Sequence, residues 1–324
     1  MLAAYAVAAD SDQPLSALRV GEIEPPPVPA DWVTVRVQAA ALNHHDVWSL
    51  RGVGLPAERL PMILGCDGAG VTEDGREVVV YPVLNDPSYA GADETLDPRR
   101  SLLSERYPGT LAELVRVPAR NLVDKPAELS FAEAACLPTA WLTAYRALFN
   151  SGGLRPGDSL LVQGAGGGVA TAAIMIGRAT GLRVWVTSRS AERAERAVAL
   201  GAHRGFSAGE RLPDKVDAVL DSVGAATWSH SINSLRPGGR LVTVGTTSGA
   251  DLRSAELTKI FFKPLQVIGS TMGTRAELEA VLHLLANTGL RPIIDRVIPL
   301  ADAAEGMAAM AAGDLFGKIV LATA

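Results

Sequence analysis

The chain is poor in cysteine, in clustered charge and in long apolar runs. Its 324 residues include two cysteines, Cys66 and Cys136, which rules out a multi-disulfide framework and a Cys-x-x-Cys zinc motif. No uninterrupted apolar stretch approaches the roughly 20 residues of a membrane-spanning helix, so no membrane partner is expected. The opening Met1-Leu-Ala-Ala-Tyr5 is apolar but has no basic region ahead of it, and it reads as a first strand rather than a secretion signal. A cytoplasmic location is the resulting expectation. Net charge is -5, from 30 Lys and Arg against 35 Asp and Glu. Arginine is dispersed, and without a basic stripe nucleic-acid binding is not expected. What is present is 48% apolar composition over a length sufficient for two domains.

The most informative pattern is Ser159-Leu-Leu-Val-Gln163 followed by Gly164-Ala-Gly166-Gly167-Gly168-Val169-Ala170, then a proline-free stretch to Thr180. It predicts a strand, a tight turn and a helix. Glycine backbone at a helix N-terminus suits a pyrophosphate, because free N–H groups and the helix dipole both favour negative charge. The literal G-x-G-x-x-G string fits Gly164 and Gly166 but fails at Val169. The register G-x-x-G-x-x-A fits better: Gly164 makes the turn, Gly167 lets backbone approach the phosphates, and Ala170 lets the helix lie close to the sheet. The alternative is a glycine-rich surface loop. A strand over 182–188 and a helix over 191–200 follow. At that strand's end an NAD site would place Asp or Glu against the ribose 2′-hydroxyl; here stand Thr187-Ser188-Arg189-Ser190. Ser188 and Arg189, with Arg193 one turn on, suit a 2′-phosphate, so NADPH is the expected cofactor. The alternative places Arg189 and Arg193 on a solvated helix face with Glu192, Glu195 and Arg196.

Residues 2–122 read as short strands with Gly and Pro punctuation, including 32–38, 76–81 and 111–117. Between the last two, 82–108 is rich in Pro, Asp and Ser and reads as a long surface loop. This half predicts an antiparallel β domain. After Pro126 strands alternate with helices: a helix over 131–150, the glycine unit, strands at 216–221, 240–245 and 265–269, and an amphipathic helix over 275–287 ending near Gly289. Such alternation predicts a parallel, doubly wound sheet. The segment 317–322 is expected to return to the first domain as a strand. The division is 1–122 with 290–324, and 123–289; an interrupted domain leaves a cleft, where ligands usually bind.

Strings along nearly the whole chain carry a resemblance: Ala41-Leu-Asn-His-His-Asp46, Leu64-Gly-Cys-Asp-Gly-Ala-Gly70, Leu137-Pro-Thr-Ala-Trp-Leu-Thr-Ala-Tyr145, Ala165-Gly-Gly-Gly-Val169, Leu235-Arg-Pro-Gly-Gly-Arg-Leu241, Gly269-Ser-Thr-Met-Gly273 and Gly317-Lys-Ile-Val320. In order and spacing the chain resembles the medium-chain dehydrogenase/reductases, particularly their zinc-free, quinone oxidoreductase-like branch. The resemblance implies an α/β protein with a GroES-like antiparallel β catalytic domain, a Rossmann doubly wound parallel sheet and hydride transfer from a nicotinamide. It also implies a homodimer through sheet edges near 242–249 and 266–269. Cofactor contacts are implied at Gly164, Gly166, Gly167, Gly168 and Val169, at Asp221, at Val244, Gly245 and Thr246, at Ser270, Met272 and Gly273, and at Lys318. Strand C-terminal ends are where open α/β sheets place ligands. Ordinary turn chemistry, and core packing for Met272, are the alternatives.

Zinc alcohol dehydrogenases of that family hold their metal with a Cys, a His in a Gly-His-Glu string, and a further Cys or Asp. The matching positions here are Asn43, Cys66 and Thr139, with Asp67 in place of the glutamate. An amide and a hydroxyl are poor zinc ligands, and 82–108 contains no cysteine for the family's structural metal lobe. No metal is expected; the alternative would group His44, His45, Cys66 and Asp67. Without a Lewis acid, reduction of an activated acceptor is favoured over alcohol oxidation. Hydride addition to a quinone or enone leaves an enolate- or phenolate-type oxygen that hydrogen-bond donors can stabilise. Asn43 is the expected donor, and His44 or His45 a donor or proton source, or else each a satisfied surface or hinge histidine. Asp46 reads as a helix cap. Trp48 reads as an apolar wall where related reductases carry Tyr, and Thr139 as lining the nicotinamide side or as a cap. The reading is an NADPH-dependent, zinc-independent reductase of quinones or α,β-unsaturated carbonyls. The alternatives are an enoyl-thioester reductase, for which no Lys/Arg cluster stands out, a non-catalytic NADPH-binding sensor or structural protein, and a zinc-dependent alcohol dehydrogenase.

Overall fold

Two parts of the sequence keep different periods, and each builds its own main hydrophobic cluster. The computed structural model describes residues 1–27, 29 and 31–323. One compact unit comprises Met1–Ala140 with Met272–Ala324, the other Trp141–Thr271.

The first unit opens with β1 (Leu2–Ala6), β2 (Leu18–Glu22) and β3 (Trp32–Ala41), then α1 (His44–Leu50). Next come β4 (Met62–Ile63), β5 (Asp67–Thr72), β6 (Glu77–Val80), β7 (Val83–Leu84), β8 (Ser101–Leu102), β9 (Leu114–Pro118) and β10 (Leu122–Asp124), and then α2 (Phe131–Ala135). Their alternating apolar positions, among them Val35, Val37, Val78, Val80, Val115 and Val117, meet in one buried cluster. The stretch 82–108 is not the surface loop expected from its composition. It carries the β7–β8 ladder and buries Val83, Leu84, Asp97, Ser101 and Leu103. Asp97 explains the order: Oδ2 accepts from the Asp86 N–H at 2.7 Å and Oδ1 from the Arg99 N–H at 2.8 Å, the local bonding that makes Asp a turn former.

The second unit runs α3 (Leu142–Arg146), β11 (Ser159–Gln163), α4 (Gly168–Ala179), β12 (Arg183–Ser188), α5 (Ala191–Ala199), β13 (Arg204–Ser207), β14 (Val216–Asp221), α6 (Trp228–Ser234), β15 (Leu235–Thr243), α7 (Leu257–Phe262) and β16 (Gln266–Gly269). The single helix expected over 131–150 is instead α2 and α3 with wider turns at Leu137–Trp141 and Ala147–Ser151; Pro138 has no N–H to give to an α-helical ladder. All neighbouring strands of the second unit are parallel, in the order β13-β12-β11-β14-β15-β16. The order reverses between β11 and β14, so the carboxyl ends of those two strands flank a crevice. Leu161, Trp185, Phe206, Val219, Ile232 and Leu241 fill one core. α4 lies close to the sheet at Gly177 as well as at Ala170: a Cβ on Gly177 would stand 2.8 Å from Val184 Cγ2.

The chain then returns to the first unit through α8 (Arg275–Thr288), β17 (Ile294–Pro299), α9 (Ala303–Ala312) and β18 (Lys318–Ala322). α8 starts on a reciprocal cap, Glu277 N–H to Thr274 Oγ1 at 3.1 Å and Thr274 N–H to Glu277 Oε2 at 2.7 Å, and stops at Gly289 with φ +71°. β18 runs antiparallel to β3, with Val320 opposite Ala41, inside the sheet order β10-β6-β5-β3-β18-β17. The sequence division placed 123–140 and 272–289 with the nucleotide-binding half. In the structure both pack with the first unit: α2 lies on β3 and β5, and Arg275 Nη2 donates to Leu122 O at 3.1 Å. No helix among the described residues is long and apolar enough to cross a membrane.

Candidate functional site

The residues that the sequence assigns to a site fall into two groups, one in each unit. In the second unit, Gly164 turns the chain out of β11 with φ +87°, a conformation that L side chains rarely adopt. Gly167 is the N-cap of α4 and offers no capping side chain. The first helical donor is Thr171 N–H to Gly167 O at 2.9 Å, so the N–H groups of Gly168, Val169 and Ala170 precede the intrahelical ladder. A Cβ on Gly167 would meet nothing within 4 Å. The space in front of the helix is therefore open, and the turn fits a pyrophosphate. Gly166 is buried in the turn. This geometry matches the register built on Gly164, Gly167 and Ala170.

The strand ends beside the turn are tied into one polar network. Gln163 stands in register with Thr187 and Asp221 on the neighbouring strands. Thr187 Oγ1 donates to Gln163 Oε1 at 2.6 Å and accepts from Gly164 N–H at 3.4 Å. Gln163 Nε2 reaches His230 Nδ1 at 2.8 Å and Ser231 Oγ at 3.0 Å, and His230 Nε2 lies 2.8 Å from Glu210 O. That arrangement requires the neutral tautomer with the proton on Nε2. Asp221, assigned from the sequence to cofactor contact, is engaged within the protein. Its Oδ1 accepts from Val223 and Gly224 N–H at 2.8 and 3.0 Å, and its Oδ2 from Thr227 and Ser231 hydroxyls at 2.8 and 2.7 Å. It shapes the turn after β14 rather than presenting a free carboxylate.

Ser188 Oγ accepts from Ser190 N–H at 3.1 Å, and Ser190 Oγ caps α5 by accepting from Arg193 N–H at 3.3 Å. Arg189 is exposed between them. Val244 N–H donates to Asp221 O at 2.9 Å; Gly245 and Thr246 follow in the same turn, with Gly249 N–H closing on Thr246 O. Ser270 Oγ accepts from Ser151 Oγ at 3.1 Å.

In the first unit, β3 ends at Ala41 and the chain enters α1 through Asn43, which is 8% exposed. Asp46 Oδ2 accepts the Asn43 N–H at 2.8 Å, the capping role read from the sequence. Burial pushes the Asp46 carboxyl up to about 6. The Asn43 carboxamide is held at both ends: Oδ1 accepts from Lys318 Nζ at 2.6 Å, and Nδ2 donates to Ala41 O at 3.3 Å. Lys318 also donates to Leu42 O at 2.7 Å and Asp67 Oδ2 at 3.0 Å. All three ammonium hydrogens of Lys318, which the sequence assigns to cofactor, have acceptors within this unit.

The two histidines diverge. His44 is exposed on one side; burial on its other side and the Lys318 charge hold its pKa below the usual value. His45 is turned inward, with Nδ1 3.4 Å from Cys66 Sγ and Nε2 3.3 Å from Glu105 Oε1. Burial opposes charging this ring, but the contacts with Cys66 and Glu105 and the Asp46 carboxyl outweigh it and hold the pKa well above the usual histidine range. Burial pushes the Cys66 thiol up, whereas the Glu105 carboxyl is held below its usual value, which makes Glu105 the anionic partner of His45. With both ring nitrogens engaged, His45 has no edge left to offer an acceptor. Trp48 is half-buried with the Arg51 guanidinium 5.1 Å over its ring. Met272 is buried at φ +51°, and the Gly273 carbonyl accepts from Tyr81 Oη at 2.8 Å.

Cys66 Sγ donates to Leu103 O at 3.3 Å, Asp67 faces an ammonium, and the two nitrogens of His45 serve partners on opposite sides of its ring. Among the described residues, no group of three or more His, Cys, Asp or Glu is arranged to hold a metal ion, and zinc does not fit these residues. The phosphates of a dinucleotide fit the glycine turn of the second unit. Within the first unit, Thr139 has a buried Oγ1 without a hydrogen-bond partner, an orphan donor of the kind found at ligand sites. Sequence reasoning missed Glu105, 60 positions from His45, and the Gln163–His230 network; only the place of Gln163, directly before the turn, could have signalled the latter.

Comparison with known proteins bears on both units. A family model described as alcohol dehydrogenase GroES-like domain matches residues 29–127, and one described as zinc-binding dehydrogenase matches 168–287. Among solved structures, an NAD-dependent alcohol dehydrogenase is 35% identical with a TM-score of 0.90 over 100% of both chains. Acryloyl-coenzyme A reductase of Sulfurisphaera tokodaii is 28% identical over 95% of this chain and 97% of its own. Quinone oxidoreductase of Lama guanicoe is 28% identical over 91% and 90%.

Proposed function

The chain belongs to the medium-chain dehydrogenase/reductase superfamily, and on that ground we propose that this oxidoreductase is an NADPH-dependent, zinc-independent reductase of quinones or α,β-unsaturated carbonyl compounds. The observation that carries the reading is Asn43: where zinc-binding members have a thiolate ligand, this chain has a carboxamide whose carbonyl faces Lys318 and whose NH₂ retains one unused hydrogen. An amide so held is an oxyanion donor rather than a metal ligand.

The bound dinucleotide supplies a hydride. The turn from Gly164 to Ala170 would hold its pyrophosphate, and Ser188 with Arg189 the 2′-phosphate. Hydride addition to an enone carbon moves an electron pair onto the carbonyl oxygen, where Asn43 Nδ2–H stabilises the charge. His44, open to solvent and held mainly neutral, relays the balancing proton from water.

A second reading, an enoyl-thioester reductase, is favoured by the full-length similarity to acryloyl-coenzyme A reductase; its acceptor is also a conjugated carbonyl. Steady-state oxidation of NADPH and NADH with quinones, enals and acyl thioesters tests both. Highest kcat/KM with quinones or enals and NADPH is expected; a preference for thioesters selects the second reading. Tight dinucleotide binding without turnover would instead indicate a sensor, and equal efficiency with NADH would end the Arg189 assignment.

A homodimer is part of the proposal. β16 is an edge strand of the parallel sheet with Val267 exposed, and the preceding α7 exposes Leu257, Phe261 and Phe262. An open edge beside an apolar face favours pairing with a second copy.

A further inference from the structure

The string Gly317-Lys318 brings a positive charge to the end of β3 by backbone register alone. Gly317 has φ +107°, and a Cβ there would stand 2.2 Å from Ile293 O, so no larger residue fits before the lysine. β18 then pairs with β3, which sets Lys318 beside Leu42 and Asn43. Lys318 is 4% exposed, and the three acceptors of its ammonium, at 2.6, 2.7 and 3.0 Å, belong to Asn43, Leu42 and Asp67. Asn43 and Asp67 are two of the positions that match the metal-associated residues of zinc-binding members.

We propose that Lys318 is a positioning residue whose ammonium locks the Asn43 carboxamide with Oδ1 inward and Nδ2 outward. This deepens the reductase reading and rests on it. An ammonium carries donors only, so a flipped Asn43 would set two donor groups against each other at 2.6 Å. Nδ2 gives one hydrogen to Ala41 O and keeps the other for an acceptor oxygen. Asp67 balances the buried charge, which would otherwise be strongly unfavourable.

The test uses the full-length protein with its dinucleotide and three variants: Lys318→Met, Asn43→Asp, and Lys318→Met combined with Asp67→Leu. The paired variant removes both charges and keeps the site apolar, so it remains informative where Lys318→Met alone does not fold. The readouts are kcat and KM with an enone, the dinucleotide Kd, and the side-chain amide NMR signals of Asn43, assigned by their loss in Asn43→Asp. The expected result in both lysine variants is a fall in kcat of roughly 100-fold, the scale of a misplaced catalytic group, with the dinucleotide Kd within about threefold. The two Asn43 amide hydrogens, distinct and slowly exchanging in the unsubstituted protein, average and exchange quickly. A kcat within about threefold of the unsubstituted protein in the paired variant overturns the proposal, whatever the amide signals do. If the unsubstituted protein reduces no acceptor, the reductase reading falls and the amide signals alone decide; two distinct, slow signals in the lysine variants then overturn the lock.

Discussion

The glycine turn of the second unit and the polar cluster of the first are built on opposite terms. Around Gly164 and Gly167 the site consists of backbone, with side chains withheld and open space where a Cβ would go. Around Asn43 it consists of side chains that are tied to one another and to nearby backbone. A ligand bound by the first is gripped through N–H groups common to every residue, so its specificity must come from elsewhere, for which Ser188 and Arg189 are proposed. A ligand meeting the second encounters individual functional groups whose orientation was fixed before it arrived. Binding and chemistry should therefore be separable by mutation.

The largest separation should come from Asn43→Asp. The replacement keeps an acceptor for Lys318 but loses the donor, and kcat should fall by about 100- to 1,000-fold, as for removal of one oxyanion donor, while fluorescence titration finds dinucleotide affinity unchanged. Gly167→Val should do the reverse. Its φ of -78° suits any residue and nothing obstructs the Cβ, so the melting temperature should hold while dinucleotide Kd rises by roughly 10- to 100-fold, the worth of charge-assisted bonds to phosphate. An unchanged Kd would mean that the pyrophosphate lies elsewhere. Arg189→Ala should lower the preference for NADPH over NADH about 10-fold without altering kcat for either; kinetics with both cofactors reads this directly.

The smallest effect concerns the clasp between His45 and Glu105, and it sharpens the contrast by touching stability alone. In the fold His45 titrates above its ordinary 6.5, so its contribution is complete below about 6.5 and is lost as pH rises through the raised value. Glu105 is held below its ordinary 4.5, because the His45 bond and the Leu102 N–H outweigh burial; its part is complete above about 4.5 and is lost as pH falls through the lowered value. Denaturant unfolding should therefore show Glu105→Gln destabilised by about 1 to 2 kcal/mol near pH 5.5, with the difference shrinking toward alkaline pH. Asp46, raised to about 6, acts in the other sense, losing stability as pH climbs from 3.8, but it is common to both proteins and cancels. A gap that grows with pH would remove the clasp from the account.

The contrast also explains what could be read from the sequence. The glycine turn is legible because all its parts are contiguous: an apolar strand, Gly164, Gly167, Ala170 and a proline-free helix. The parallel sheet followed from the same local alternation, and β18 from the apolar run after Lys318. The polar cluster is not contiguous. Lys318 is 275 positions from Asn43 and Glu105 is 60 from His45, and no local period marks either. The family resemblance points to Asn43 without its partner, so Lys318 is expected at the cofactor, and the sequence alone leaves His44 and His45 each open as a donor at the acceptor or a satisfied surface or hinge histidine. Residues 82–108 misled for a related reason: Pro, Asp and Ser describe a loop equally well whether its aspartates face water or, like Asp97, its own backbone.

A cation carried on the chain has consequences of supply and of valence. Lys318 is present from the moment of synthesis; no chelator can strip it and no competing ion can displace it. In return its charge is fixed at one, and its three donors are already directed at Leu42, Asn43 and Asp67, with no vacancy for a fourth partner. Such a centre can aim its neighbours, but it can neither admit a substrate oxygen nor adjust its geometry during a reaction.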